Sequence, residues 1–258
     1  LSLVSLSTEG AVSRLLLDRP DARNALSIQL CNDIVDALEA IPGDARVVVI
    51  EGAGKVFCSG ADFAAVSGPG AIEFLPAFER MLESVARFRL PTIARIQGAA
   101  LGGGLQLATV CDFRVAADGA QLGIPSSKLG IVINYENVQR LVLMAGVAVA
   151  KEVLMTGRVY PGTEAAAAGL VTRSVPDESL DHAVDELAAT LAQNAPLSVQ
   201  GVKRAIQTVA DAMADARTTD VTKVDAIDKL VAEAYASDDL QEGLTAMSEK
   251  RPPTFRGR

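Results

Sequence analysis

Apolar residues recur along this chain with two different periods. At Ile28, Cys31, Ile34, Val35 and Leu38 they fall three and four apart, the spacing that lines one face of a helix. Ser27 stands just before them as a side-chain cap, and the helix is expected to run through Ala40. Arg46-Val47-Val48-Val49-Ile50-Glu51 is instead a continuous apolar run, which suits a strand covered on both faces of its sheet. Ser2 to Ser5 and Ala11 to Leu17 predict a hairpin around Thr8-Glu9-Gly10. Helical spacing returns from Ile72 to Phe88, followed by a strand over Thr92 to Ile96. A glycine-rich turn, a helix from about Gly103 to Val110 and a strand over Phe113 to Ala116 come next.

Beyond Asn134 the pattern is mostly helical. Helices are expected over Asn134 to Met144, Ala148 to Met155, Thr163 to Ala168, Leu180 to Gln193, Pro196 to Ala210, about Thr218 to Tyr235, and Asp238 to Glu249. Alternating strands and helices followed by helices alone predict an α/β core with a helical region after it. No repeat or low-complexity linker separates the two parts.

The composition narrows what such a chain can do. Hydrophobic content of 49% beside 22% charged residues sets disorder aside. The longest apolar stretch, Ile96 to Val110, is interrupted by two glutamines and four glycines and predicts no membrane span. The first residues, Leu1-Ser2-Leu3-Val4-Ser5, lack the basic start and long apolar core of a signal peptide. Three cysteines, Cys31, Cys58 and Cys111, are odd in number and form no C-x-x-C pair. They point away from a disulfide framework or a zinc site and toward a reducing, cytoplasmic location. A formal net charge of −8 argues against nucleic-acid binding, and a polyanionic ligand would need a local basic patch. The single histidine, His182, lies in a helical pattern with nothing to make it a triad member and reads as a surface residue.

Two segments carry candidate chemistry: Val56-Phe57-Cys58-Ser59-Gly60-Ala61-Asp62-Phe63 and Gly98-Ala99-Ala100-Leu101-Gly102-Gly103-Gly104-Leu105-Gln106-Leu107-Ala108. In the second, glycines follow a strand and open a helix, which leaves backbone N–H groups free at the positive end of a dipole. Taken alone, such a triplet is equally a flexible turn. The dinucleotide-binding pattern G-x-G-x-x-G is absent.

Both segments resemble the signatures of the crotonase (enoyl-CoA hydratase/isomerase) family. Arg19-Pro20-Asp21-Ala22-Arg23-Asn24-Ala25-Leu26 near the start and Ser248-Glu249-Lys250-Arg251-Pro252-Pro253-Thr254-Phe255-Arg256 near the end extend the likeness over nearly the whole chain. The resemblance implies a ββα spiral acyl-CoA-binding core over residues 1–195 and a C-terminal helical trimerisation region over 196–258. It also implies a homotrimer or hexamer, and fatty acyl-CoA or enoyl-CoA as partner with no cofactor beyond the coenzyme A thioester. The N–H groups of Ala61 and Gly103 would form an oxyanion hole for the thioester oxygen. Ala22, Arg23, Ala25, Ser59, Asp62, Phe63 and Gly102 match positions along the coenzyme A site. Lys250, Phe255 and Arg256 lie in a tail that resembles one closing over a neighbour's site.

Hydratases of this family hold a water between two glutamates. Here those positions carry Gln106 and Ser126, and an amide cannot accept or deliver a proton at neutral pH. A third position, aspartate in dehalogenase-type members, falls near Asn134. Glu136 is the remaining acid in reach, a candidate relocated base at the start of a helix where the dipole alone would also favour it. The chain resembles actinobacterial members that lack both glutamates, which implies acyl-CoA binding in fatty acid metabolism without standard hydration. The alternatives are an isomerase or weak hydratase using Glu136, and a structural protein with no use for an oxyanion hole.

Overall fold

The computed structural model describes residues 2–62, 71–217 and 221–257. Phe63, expected beside the adenine pocket, lies outside them. Contacts divide the chain into two compact units, Leu1–Leu122 with Tyr160–Ile206, and Gly123–Val159 with Gln207–Arg258.

The first unit is built on a six-stranded sheet. Its strands are β1 (Val4–Glu9), β2 (Val12–Leu17), β3 (Val47–Gly52), β4 (Thr92–Ile96), β6 (Phe113–Ala117) and β9 (Arg173–Val175), and they lie in the order β1-β2-β3-β4-β6-β9. The β1–β2 hairpin is antiparallel and every later pairing is parallel. Its first strand runs on to Glu9, past the expected end at Ser5, because the register continues through Thr8↔Ser13 and Glu9↔Val12. A smaller sheet contains β5 (Ala99–Leu101), β7 (Gln121–Gly123) and β8 (Val159–Pro161). These strands and β9 have three residues each, too few to show a period in sequence.

Val47, Val48, Val49 and Ile50 are fully buried, as the unbroken apolar run of β3 requires. Helix α6 (Leu180–Gln193) packs on one side, touching β2, β3, β4 and β6. Helix α1 (Ile28–Glu39) packs against β1 and β2 and against α2 (Ala71–Ala86). Its expected cap is present: Ser27 accepts a hydrogen bond from Leu30 N–H at 3.1 Å. The buried residues of α1 are Leu30, Cys31, Ile34, Val35 and Leu38, the stripe that its spacing marks out. Helix α3 (Gly103–Val110) is almost wholly buried, although eight residues form a marginal helix in water. Tertiary contacts therefore hold it in place.

Helix α4 (Tyr135–Met155) runs through both expected helices, with a break at Gly146, where φ is +80° and ψ 163°. Helix α5 (Gly162–Ala167) precedes α6, and α7 (Pro196–Arg217) extends a further two turns past Ala210. Helices α8 (Val221–Tyr235) and α9 (Asp238–Glu249) follow. Among the described residues no helix is long and apolar enough to cross a membrane.

Candidate functional site

Three stretches of irregular backbone meet beside the C-terminal ends of β2, β3 and β4. Leu26 and Ala61 form a parallel bridge, and so do Cys58 and Ala100. In the first, Leu26 N–H donates to Gly60 O and Asp62 N–H to Leu26 O, both at 2.8 Å. A bridge of this kind engages the residues on either side of Ala61 and turns Ala61's own N–H away from its partner. In the second, Cys58 N–H donates to Ala99 O and Leu101 N–H to Cys58 O, each at 3.0 Å. The two signature segments are thus stitched backbone to backbone.

Glycine is required where they touch. Gly60 has φ +104°, and a Cβ there would stand 2.8 Å from Leu101 O and 3.5 Å from Gly103 N. Gly102, the residue before α3, has φ +53° and ψ −121°, outside the range of ordinary side-chain-bearing residues. Gln106 N–H donates to Gly102 O at 3.1 Å, the first hydrogen bond of the helix. Gly103 therefore lies in the first turn, where the amides have no partner within the helix. Among the described residues, no hydrogen bond engages the N–H of Ala61 or of Gly103. A Cβ on Gly103 would contact Leu26 Cδ1 and Phe78 Cε2 at 3.2 Å. Phe78 in turn stacks on Phe74, with ring centroids 5.6 Å apart. Apolar surface thus borders the free amide.

The loop before α1 is held by Asn24, which is fully buried. Its side-chain amide donates to Ala53 O and Val56 O, both at 2.9 Å, and its oxygen accepts from Arg19 N–H at 3.0 Å. Arg23 and Asn24 both have positive φ, 52° and 54°. That turn leaves the Arg23 side chain exposed while its carbonyl accepts from Ser59 N–H at 3.1 Å. Ala22, Ala25 and Ser59 are half-buried around the same turn. Asp62 pairs with Arg19 at 2.6 Å, and Arg19 also donates to Ala25 O at 3.0 Å. This pair ties the loop to the segment after Ala61. Asn24 and Arg19 carry no periodic signal, and spacing alone could not have singled them out.

The far end of α3 is anchored by charge. Arg114, on β6, is 9% exposed and donates from one nitrogen to Ala108 O at 3.3 Å and Cys111 O at 2.6 Å. Burial lowers its pKa, while a cation beside the last carbonyls of a helix is favoured by the dipole. Asp112, next along, accepts from Thr92 N–H at 2.7 Å, from the Thr92 hydroxyl at 3.0 Å and from Lys203 at 2.7 Å. The only signal for Arg114 in sequence is a cation inside an apolar strand.

Gln106 is 7% exposed. Among the described residues its amide has no hydrogen-bond partner, and neither amide atom is among those sealed from solvent. No carboxylate occupies this turn of α3. Nucleophilic sulfur is not on offer either, since burial pushes the Cys31, Cys58 and Cys111 thiols up to about 12. Native protein at about pH 8, near the ordinary thiol value, should therefore resist a disulfide reagent such as dithionitrobenzoate. All three cysteines should react after unfolding in guanidinium; rapid labelling of Cys58 in the native state would contradict the packing.

The remaining expected residues lie in the second unit. Ser126, 8% exposed, sits in a 3-10 turn over Pro125–Leu129 that packs against α9, where a Cβ on Gly243 would meet Leu129 backbone at 2.6–2.8 Å. The carbonyl of Ser126 accepts from Ile131 N–H at 3.0 Å. Asn134 caps α4, accepting from Asn137 N–H at 3.3 Å. Glu136 is exposed in the first turn of that helix, and the Tyr135 hydroxyl accepts from Gln139 at 3.3 Å. His182, in the first unit, is exposed as expected.

The tail folds back on its own helix. Lys250 ends α9 in a left-handed turn with φ 54° and is exposed, as are Phe255 and Arg256. Glu242 accepts from Arg251 at 2.6 and 2.9 Å and from Thr254 N–H at 2.7 Å, while Asp239 accepts from Arg256 N–H and Gly257 N–H. The hydrogen bonds from Arg251, then that from Thr254, hold the Glu242 carboxyl down to about 2. A depressed carboxyl stabilises the docked tail fully above its free value of about 4.3 and loses that effect as pH falls through about 2. The Thr254 amide resonance should therefore hold its position at pH 4 and move only near the lower value. A midpoint at the free value would show that the clasp does not form.

Comparison with known proteins agrees with this frame. Residues 7–258 match the family model described as enoyl-CoA hydratase/isomerase. The chain is 36% identical to the enoyl-CoA isomerase/hydratase fer4 of Mycosarcoma maydis, over 96% of this chain and 93% of the relative. It superposes on the enoyl-CoA hydratase/isomerase of Pseudoalteromonas atlantica with TM-score 0.86 and 29% identity, covering 98% of this chain and 100% of that one. A methylmalonyl-CoA decarboxylase in complex with 2-nitronate-propionyl-CoA reaches TM-score 0.90 at 24% identity, with 99% of both chains covered, and shows likeness of fold alone.

Proposed function

The chain belongs to the enoyl-CoA hydratase/isomerase (crotonase) superfamily, and from that premise we propose that it binds fatty acyl-CoA thioesters without carrying out standard hydration. The thioester oxygen accepts from Ala61 N–H and Gly103 N–H, two amides fixed before any ligand arrives. The thioester then loses little in reorganising the site. Arg23, Ser59 and the loop around Ala22 and Ala25 hold the coenzyme A portion, with Asp62 fixing the loop through Arg19. Lys250, Phe255 and Arg256 add cationic and apolar contacts from a neighbouring copy in a homotrimer or hexamer. The exposed apolar stripe of Val202, Ile206, Val209 and Met213 on α7 supports such an assembly.

One observation carries the reading: the residue one turn past Gly103 is the amide Gln106. A positioned acid or base typically contributes on the order of 10²–10⁴-fold, and with Ser126 in the second position both contributions are gone. The protein then acts in fatty acid metabolism as a carrier or regulator. Incubation with 2-enoyl- and 3-enoyl-CoA in D₂O, followed by mass spectrometry, tests this. Unchanged substrates at saturating concentration are expected; hydration, isomerisation or deuterium uptake would overturn it.

A second reading gives Glu136 the part of a relocated base. An exposed carboxylate in the first turn of α4 is free to serve as the single base that double-bond isomerisation needs. In that case Glu136→Gln abolishes the label and keeps acyl-CoA affinity.

A further inference from the structure

We infer that α7 (Pro196–Arg217) pairs with α7 of a second copy of this chain, antiparallel about a twofold axis that crosses the helix between Ala205 and Ile206. The starting observation is that the helix is turned inside out. Gln200, Lys203, Gln207 and Asp211 stand three and four residues apart, so they share one face, and all four are half-buried. Lys203 donates to Asp112 at 2.7 Å and to Leu90 O at 2.8 Å, and Gln207 donates to Asp211 at 3.1 Å. The apolar residues look the other way: Val202, Ile206, Val209 and Met213 are 56%, 64%, 59% and 46% exposed. A surface helix ordinarily lays its apolar stripe on its own core. Here polar groups tie the helix to the chain, and the apolar face is left for another surface.

The order of residues on that face says which surface it fits. Ser198, Val202, Ala205, Ile206, Val209 and Met213 follow one another at intervals of four, three, one, three and four. The series reads the same from either end. An antiparallel copy therefore sets Val202 against Val209, Ala205 against Ile206 and Ser198 against Met213. An isologous contact requires such a patch, complementary to itself. Gly201, Ala205 and Ala212 are exposed along its edge and are small enough for a second helix to come close. Charge favours the same orientation. Lys203 is paired with Asp112, which leaves Arg204 in the first half, while Asp211, Asp215 and Arg217 leave the second half net negative. Antiparallel helices put the basic half beside the acidic half and oppose their dipoles. A lipid surface fits less well, because helices that lie on membranes turn a lysine- and arginine-rich face to water.

The size of the face sets the strength of the contact. From Ser198 to Met213 it is about 24 Å long, and a helix about 10 Å wide gives it roughly 250 Å². Stable interfaces take about 800 Å² from each partner, so one such pair is weak and concentration-dependent. It closes at two copies and cannot by itself build a ring of three. Where the homotrimer proposed above forms, and this clause alone rests on that reading, three such pairs act together and join two trimers into the hexamer.

The test uses the intact protein. Sedimentation equilibrium over a range of concentrations should give the unmodified chain twice the limiting mass of Val209→Glu, whose carboxylate would be buried between two apolar surfaces. Leu197→Glu is the control. Leu197 is 86% exposed but lies nine residues from Ile206, half a turn round the helix, so its variant should keep the unmodified mass. Circular dichroism checks that both variants fold. Equal masses for the unmodified protein and Val209→Glu, or the same halving in Leu197→Glu, would overturn the pairing. Cysteine linkage reads the orientation. A mixture of Val202→Cys and Val209→Cys oxidised with diamide should give linked pairs, and neither variant alone should. In the antiparallel pair two copies of position 202 stand about 10 Å apart along the axis, beyond the reach of a disulfide. The native cysteines are buried and keep the background low. Linkage as strong in Val202→Cys alone would rule out the antiparallel arrangement. A trimer mass that is the same in Val209→Glu would refute the pairing and leave the trimer standing, so the two readings fail separately.

Discussion

Ala61→Pro should fold normally and lose acyl-CoA affinity on the order of tenfold, the scale of one hydrogen bond lost with its acceptor left dry. Proline lacks the N–H proposed to hold the thioester oxygen. The bridge to Leu26 does not depend on that N–H, because it runs through Leu26 N–H, Gly60 O, Asp62 N–H and Leu26 O. The substitution therefore removes a donor without removing a rung. Titration with octanoyl-CoA gives the readout, and circular dichroism confirms the fold. Unchanged affinity in a folded variant would mean that the thioester oxygen is held elsewhere.

Gly104→Ala is expected to have the largest effect on stability, about 3 kcal/mol, at the upper end of what overpacking costs. The added Cβ would overlap the carbonyl oxygen of Cys58 and stand 2.9 Å from its carbonyl carbon and its Cβ. These are backbone and near-backbone atoms of a residue bridged to Ala100, so they have no rotamer to retreat into. Helix α3 must lift away, carrying Gly103 and Gln106 with it. Acyl-CoA binding should be lost together with stability. Gly43→Ala is the control, because a Cβ there meets nothing within 4 Å and the backbone needs no positive φ. Its stability should change by no more than about 0.5 kcal/mol. If urea unfolding found the two variants alike, the close approach of α3 to the segment around Cys58 would be wrong.

Much of the local structure around the candidate site was readable in sequence, and the parts that were not share a cause. The cap at Ser27, the stripe of α1, the buried run of β3 and the extents of β4, α3, α6 and α9 all follow from relations within a few residues. Such relations are local and leave their mark in the spacing of side chains. The strands β5, β7, β8 and β9 were missed as elements because three residues become a strand only when a partner lies alongside. The absence of carboxylates at Gln106 and Ser126 is likewise a property of the sequence, and no folding changes it.

By itself, then, the sequence determined the α/β order of elements, the glycine-bearing turns and the chemical character of Gln106 and Ser126. The tertiary structure decided which amides stay free. Ala61 N–H is turned outward only because Leu26, far back in the chain, pairs with the residues on either side of it. Asn24 became a hub only when Ala53 O and Val56 O came round to it, and Arg114 became a helix anchor only when β6 lay beneath the end of α3. Whether the Gln106 amide is paired was equally a question for the packing around it. The physical reason is that local propensity fixes the conformation of a segment, whereas the direction and company of a single N–H depend on pairings between residues distant in the chain.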